Sequence, residues 1–223
     1  MHAAKRRIVW DNPAPSKGSE IPDLFHTAVT NLLAIDSATD ALSLALLKEG
    51  EVTALHRVMP RQHQQQLFAC LAELLRGAPV ASAALDAIVF GRGPGSFTGL
   101  RIAASAAQGL AFSLSLPVVA LSSLETQART LLRREGIDCP CLLVSTIDAR
   151  IGQIYIAVHH FDGALVRELL APQIVTAADW SMPAAAAGLE HLPLHLVGSG
   201  AVSLAGAAPA AFSEVRSWPE ALP

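Results

Sequence analysis

A short apolar segment that ends in aspartate occurs twice in this chain, and the second copy lies 112 residues after the first. The first copy is Ala34-Ile35-Asp36 and the second copy is Thr146-Ile147-Asp148. At the same offset, alternating apolar residues at 42–46 and at 154–158 predict that another strand follows each aspartate. A repeat with this order of elements indicates that one folding plan has been used twice. The sequence therefore predicts a duplicated α/β fold with one acidic hairpin in each of two lobes.

A glycine-rich run from Gly91 to Leu100 is the second sequence feature that limits how the chain can fold. It lies between an apolar segment and a run of small residues, which predicts a strand, a tight loop and a helix that begins near Arg101. A phosphate cradle is one interpretation, because glycines permit close backbone approach and a helix amino terminus presents N–H groups to an anion. Close packing of the helix on the sheet, with nothing bound, is the other. The lysine of a Walker A loop is missing after Gly99, and Ser96 lacks the flanking glycines of a nucleophile elbow.

Apolar periodicity and turn residues predict the remaining elements. Strands are predicted at 32–35, 42–47, 52–57, 86–90, 117–121, 142–147 and 194–197. Helices are predicted at 63–76, 101–112 and 122–134, and the last of these begins with Ser122 and Glu125 at the spacing of a capping box. The alanine- and proline-rich stretch 171–192 is predicted to be a connection through a short helix.

This pattern divides the chain into three parts. Residues 1–30 lack apolar periodicity and the core of a signal peptide, so they are predicted to form a poorly ordered N-terminal extension. Residues 31–135 are predicted to form an N-terminal lobe that carries the glycine-rich loop and docks a partner. Residues 136–223 are predicted to form a C-terminal lobe, which is expected to be truncated because the sequence stops at Pro223 without a closing element.

Composition argues against several classes of function. The formal net charge of −3 provides no basic surface, so a role on nucleic acid requires a partner protein. The three cysteines include Cys139 and Cys141 in a CxC arrangement, which is not the spacing of a zinc site and favours reduced thiols. No apolar run reaches the roughly 18 residues that a membrane span requires. A cytoplasmic protein without a metal site is expected.

Several segments resemble the TsaB (YeaZ) family. They are Ala34-Ile35-Asp36-Ser37-Ala38-Thr39, Gly91-Arg92-Gly93-Pro94-Gly95-Ser96-Phe97-Thr98-Gly99-Leu100-Arg101-Ile102, Gln108-Gly109-Leu110-Ala111-Phe112, Ser122-Ser123-Leu124-Glu125 and Asp148-Ala149-Arg150. The resemblance covers about residues 31–223, and the glycine stretch is its most specific part. It implies a duplicated actin-like ATPase (ribonuclease H-like) fold, in which each of two lobes has a mixed sheet flanked by helices.

The resemblance implies a role in making threonylcarbamoyladenosine, a modification of tRNA next to the anticodon. In this family TsaB pairs with its paralogue TsaD, which transfers the threonylcarbamoyl group, and the ATPase TsaE completes a larger assembly. The chain would then be a non-catalytic scaffold and activator, a degenerate paralogue that forms a heterodimer with a TsaD-like protein. It would meet tRNA only through the complex and would form a homodimer when alone. The alternative is an independent actin-fold ATPase that uses Asp36, Asp148 and the glycine turns.

The resemblance also assigns roles to individual residues. TsaD-like proteins bind a metal through two histidines, and Ser123 and Gln127 occupy those positions here, so neither a metal site nor a catalytic residue is expected. No cofactor is required, and weak ATP or ADP contact at the partner interface is assigned to a degenerate site at Asp36, Ser37, Thr39, Gly91, Gly93, Gly95, Ser96, Asp148, Gly198 and Gly200. The partner interface is assigned to His63, Leu67, Phe68, Leu71, Leu74, Leu75, Arg101, Ala104 and Gln108.

Overall fold

The computed structural model of the chain describes residues 30–204, 212 and 214–219. The extension predicted at 1–30 lies outside these residues except for its last position, so that prediction is not tested. The described residues form two five-stranded sheets with helices packed on them.

The first sheet is built from the strands nearest the N-terminus. These are β1 Leu32–Asp36, β2 Ala41–Lys48, β3 Glu51–Val58, β4 Ala87–Gly91 and β5 Val118–Leu121. Three helices occur in the same part of the chain: α1 His63–Leu74, α2 Phe97–Leu114 and α3 Ser123–Glu135. The sheet is mixed, because β1 pairs antiparallel with β2 and parallel with β4. Its strand order is β3-β2-β1-β4-β5.

The second sheet repeats this arrangement. Its strands are β6 Cys141–Arg150, β7 Gln153–Phe161, β8 Val166–Thr176, β9 Leu194–Val197 and β10 Val215–Trp218, with a short helix, α4 Ala201–Leu204, after β9. β6 pairs antiparallel with β7 and parallel with β9, and the strand order is β8-β7-β6-β9-β10. Strands β6 to β10 therefore occupy the positions in the second sheet that β1 to β5 occupy in the first. The predicted duplication is confirmed.

The first sheet buries one of its faces against α1 and α2. Leu33 and Ile35 of β1 point to these helices, as the period-2 alternation of a strand requires. The small residues of α2 let its backbone approach the sheet closely. The helices and the other strands add Leu42, Leu44, Leu67, Cys70, Leu71, Leu74, Ile88, Ala103, Ala106, Ala107 and Ala111 to the same core.

The third helix packs on the second sheet. α3 contributes Ala128, Leu131 and Leu132 to a cluster whose other buried members come from β6, β7 and β9. At the start of the helix, Ser123 N–H donates to the carbonyl oxygen of Gly93 (2.9 Å), which links α3 to the glycine-rich loop. The predicted boundary at residue 135 groups this helix with the N-terminal lobe, whereas its apolar contacts are with the second sheet. The division into lobes remains a prediction.

Several elements differ from the predicted ones, and α2 and β8 differ for local reasons. α2 begins at Phe97, before the predicted start, because Ser96 Oγ accepts a hydrogen bond from Gly99 N–H (3.3 Å) and caps the helix. β8 extends into the stretch predicted to be a connection, and an edge strand tolerates the proline within it. The predicted short helix of that stretch is one 3₁₀ turn at Ala184–Ala186.

Candidate functional site

The turn after β1 and the glycine-rich loop after β4 pack directly against each other. The two strands are parallel neighbours, so their carboxyl ends meet at one edge of the first sheet. Ser96 N–H donates to the carbonyl oxygen of Ala38 (2.6 Å), and Ser37 Oγ donates to the carbonyl oxygen of Gly99 (2.8 Å). The structure therefore brings together the two groups of predicted site residues in the first lobe, the turn at 36–39 and the loop at 91–96.

Contacts within the chain explain three glycines of the loop and its helix. A Cβ atom on Gly91 would overlap the carboxylate of Asp36. A Cβ atom on Gly95 or on Gly99 would overlap the backbone of residues 37–38. These glycines serve close packing of the loop and its helix against the chain's own turn. Nucleotide binding at the loop stays a prediction.

Asp36 is the acid at this edge of the sheet. Its Oδ1 accepts a hydrogen bond from Ala38 N–H (2.9 Å). Desolvation raises the pKa of the Asp36 carboxyl above its ordinary value, while Ala38 N–H, the Ser123 hydroxyl and His63 act to lower it. Ser123 Oγ is buried and has no hydrogen-bond partner of good geometry among the described residues, so it acts on Asp36 as a nearby dipole. The carboxyl is thus held in a setting that disfavours its charge.

Gln127 fills the space at the corresponding edge of the second sheet. Its side chain is 1% exposed, and its Oε1 accepts a hydrogen bond from Thr146 N–H (3.2 Å). Its Nε2 lies against Gly198, where a Cβ atom would overlap the amide. Gln127 therefore ties α3 to the ends of β6 and β9. In the part of the chain that the structure describes, no group of three or more His, Cys, Asp and Glu residues is placed to hold a metal ion.

The second acidic turn occupies the place of the first in the repeat but is more exposed. Asp148 N–H donates to Ser199 Oγ (3.0 Å), and Asp148 Oδ1 accepts from Arg150 N–H (2.7 Å). Gly200 lies close against β7, where a Cβ atom would crowd the strand. Asp148, Gly198 and Gly200 are thus brought together where β6 and β9 end. The two groups of predicted nucleotide-site residues lie at corresponding edges of the two sheets.

Several residues of the predicted partner interface are buried inside the protein, and the interface itself stays a prediction. His63, Leu67, Leu71 and Leu74 are each at most 7% exposed. An amphipathic helix turns its apolar stripe toward its own sheet, so these residues are not available to a partner. The exposed members of the prediction are Phe68 at 61%, Arg101 and Gln108, while Leu75 and Ala104 are half-buried.

The outer side of α2 carries two phenylalanines that sequence reasoning missed. Phe97 is 68% exposed and Phe112 is 90% exposed. Together with Arg101, Ser105 and Gln108 they follow one side of the helix, and we name this set the α2 face. The guanidinium carbon of Arg101 lies 3.9 Å from the centroid of the Phe97 ring, a cation–π contact. The sequence contained a signal, since large aromatic residues stand in a helix made mostly of small ones.

The duplicated topology and the paired edges define a protein with the duplicated actin-like ATPase fold. YeaZ from Pseudomonas aeruginosa, a solved structure, is 34% identical, with a TM-score of 0.71 and 84% of each chain covered. A family model described as TsaD, tRNA N6-adenosine threonylcarbamoyltransferase, matches residues 55–222. The chain belongs to the TsaB (YeaZ) family.

Two curated relatives carry the name tRNA threonylcarbamoyladenosine biosynthesis protein TsaB. The protein from Escherichia coli K12 is 37% identical over 150 residues, which are 65% of this chain and 64% of that protein. The protein from Bacillus subtilis 168 is 35% identical over 150 residues, which are 67% of this chain and 63% of that protein. The match thus spans just under two thirds of the length of each relative. Among the described helices, none is long and apolar enough to cross a membrane.

Proposed function

We propose that this chain is a non-catalytic subunit in the threonylcarbamoyladenosine modification of tRNA next to the anticodon. Its role would be to bind and activate a TsaD-like paralogue. The names of its relatives and the match to the TsaD family model support the process. The α2 face is the observation that carries the docking role.

The α2 face has the chemistry of a protein-binding surface. Aromatic residues and arginine are enriched in the buried centres of interfaces, and Phe97, Arg101 and Phe112 supply both types. Phe68 on the neighbouring α1 is also exposed, and α1 and α2 contact each other, so the two helices present one surface. A paralogue with the same duplicated fold would offer a corresponding pair of helices. In its absence, a second copy of this chain would occupy the surface as a homodimer.

Two features of the site support the absence of catalysis in this chain. Ser123 and Gln127 stand at the positions of the metal-binding histidines, and Gln127 is engaged in holding β6 and β9. At Gly91, Gly95 and Gly99 close packing against the chain's own turn accounts for the glycines without a bound ligand. The chain would therefore need no cofactor, and contact with ATP or ADP would be weak and confined to the partner boundary. The net charge of −3 fits a subunit that meets tRNA through its complex, in which a TsaE-like ATPase joins.

Phe112→Asp tests the docking role. We expect it to weaken binding to the TsaD-like paralogue of the same organism at least tenfold in isothermal titration calorimetry, since a buried aromatic anchor contributes about 2–4 kcal/mol. Ile151→Asp is the matched control, because Ile151 is 99% exposed at the tip of the β6–β7 hairpin of the second sheet, whereas α2 packs on the first sheet. Binding equal to wild type is expected for the control. No binding by wild type, or equal weakening by both variants, would contradict the proposal.

The same calorimetry separates this role from an independent ATPase. ATP and magnesium are titrated into the isolated chain, and phosphate release is measured in parallel. Weak binding without turnover is expected. Tight binding with turnover that Asp36→Asn abolishes would favour the ATPase instead.

A further inference from the structure

The last strand of the second sheet is held by few side chains. β10 spans four residues and, among the residues that the structure describes, pairs on one side only, with β9. Val215, Arg216 and Ser217 are exposed, whereas Trp218 is half-buried and packs on the cluster between α3 and the second sheet. The side chain of Trp218 is therefore the main anchor of β10.

Trp218 is joined to His195 of β9 by a hydrogen bond that depends on charge. The indole Nε1–H donates to His195 Nδ1 (3.0 Å), and the two ring centroids are 6.2 Å apart with 28° between the planes. An indole N–H is only a donor, so Nδ1 must be the unprotonated acceptor and the neutral ring carries its proton on Nε2. A protonated His195 has an N–H at both nitrogens, so its Nδ1–H would point at the indole N–H and no hydrogen bond could form. The bond exists only while the imidazole is neutral.

We propose that His195 and Trp218 form an acid-released latch for β10. When His195 is neutral, the latch docks the strand on the second sheet. When His195 is protonated, the hydrogen bond is lost and the strand detaches more readily.

The surroundings of His195 favour its neutral form. The ring is 3% exposed, and it lies on the side of β9 that also carries Val197, where the packed residues of α3 are Ala128, Leu131 and Leu132. The β6 residue paired with it is Leu143, and α4 has no titratable side chain. Burial lowers the pKa of His195, Arg216 lowers it further and Glu214 raises it. Both charged groups come from the segment around β10, where they form an exposed ion pair (2.6 Å).

The first test measures the pKa of His195 by NMR in the full chain and in Trp218→Phe. Phenylalanine keeps an aromatic ring in place and removes the donor that stabilises neutral His195. We expect the pKa to rise by about 0.5 to 1 in this variant, the size of one neutral hydrogen bond. An unchanged pKa would overturn the latch.

The second test follows the backbone of the strand. Leu194 N–H donates to the carbonyl oxygen of Glu214 and Gly198 N–H to that of Trp218 (2.9 Å each), so exchange of these two amides with solvent reports detachment. Docking of β10 and protonation of His195 are coupled, and the coupling free energy is the same in both directions. A pKa change of about 0.5 to 1 therefore corresponds to a roughly three- to tenfold loss of amide protection between pH 7.5 and pH 5. Exchange rates are corrected for their intrinsic pH dependence. Ile88 N–H, bonded to the carbonyl oxygen of Pro117 in the first sheet, is the reference amide.

His195→Asn is the matched variant for this exchange experiment. Its amide oxygen accepts a hydrogen bond near the position of Nδ1 and does not titrate. We expect its protection at Leu194 and Gly198 to be independent of pH over the same range. A fall of the same size as in the wild type, or no fall in the wild type itself, would overturn the proposal.

Discussion

Gly99 and Gly109 lie on the same helix, α2, and differ in what surrounds them. A Cβ atom on Gly99 would overlap the carbonyl oxygen of Ser37, whereas a Cβ atom on Gly109 would meet nothing within 4 Å. The sequence shows two glycines among small residues and does not distinguish them, because Ser37 is 62 residues from Gly99 in the chain. The glycine-rich loop could therefore be predicted from the sequence, whereas the packing reason for each glycine depends on a tertiary contact.

Alanine at these two positions should have opposite effects on the free energy of unfolding. Gly109→Ala should raise it by about 0.5–1 kcal/mol, because alanine restricts the unfolded chain and suits a helix better than glycine. Gly99→Ala should lower it by about 1–3 kcal/mol, because the added methyl group meets backbone and cannot be accommodated without a shift. Urea unfolding followed by circular dichroism measures both. Stabilisation by both substitutions would contradict the close contact at Gly99.

His159 on β7 is a buried histidine whose two ring nitrogens have no hydrogen-bond partner among the described residues. Burial lowers its pKa to about 4, with Glu125 raising it and Arg129 lowering it. The folded-state pKa lies below the unfolded value of about 6.5, so the unfolded chain takes up the proton first as the pH falls. The stability contributed by the neutral ring is therefore complete above about pH 6.5 and is lost progressively toward pH 4.

The loss should be on the order of 3 kcal/mol for His159. Urea unfolding of the wild type should show this decrease between pH 7 and pH 4, and His159→Phe, which cannot titrate, should flatten the pH dependence. His191→Asn is the control, because His191 is exposed. If His159→Phe lost as much stability between pH 7 and pH 4 as the control, the buried imidazole would not be the source of the acid destabilisation.

Among the elements, most strands and helices could be predicted from short periodic signals, but β8, β10 and the exposed face of α1 could not. Leu67, Leu71 and Leu74 form an apolar stripe that suits a core and an interface equally well from sequence alone. Only the position of the first sheet shows that this stripe is buried and that Phe68 faces outward. The same limit applies to Phe112 on α2, whose exposure depends on which side of the helix the sheet covers.

At the scale of the whole molecule, the repeat predicted that one folding plan is used twice, but it predicted neither the strand order of the sheets nor the packing of α3. The repeated strand and aspartate are local signals, so they can be recognised wherever they occur in the chain. α3 follows β5 of the first sheet in sequence, yet its apolar residues pack against β6, β7 and β9. Nothing local in the helix distinguishes one sheet from the other, because each sheet has an apolar face on which helices pack.

Two matched leucine substitutions test whether α3 stabilises the second sheet more than the first. Leu131 of α3 is 2% exposed and Leu71 of α1 is 3% exposed, so alanine at either position should cost about 2–5 kcal/mol of stability. In native-state hydrogen exchange, Leu131→Ala should lower the protection of amides in β6 and β7 more than in β1 and β4, and Leu71→Ala should do the reverse. If each variant lowered protection equally in both sheets, the chain would unfold as one cooperative unit. The assignment of α3 to one half of the molecule would then have no energetic meaning.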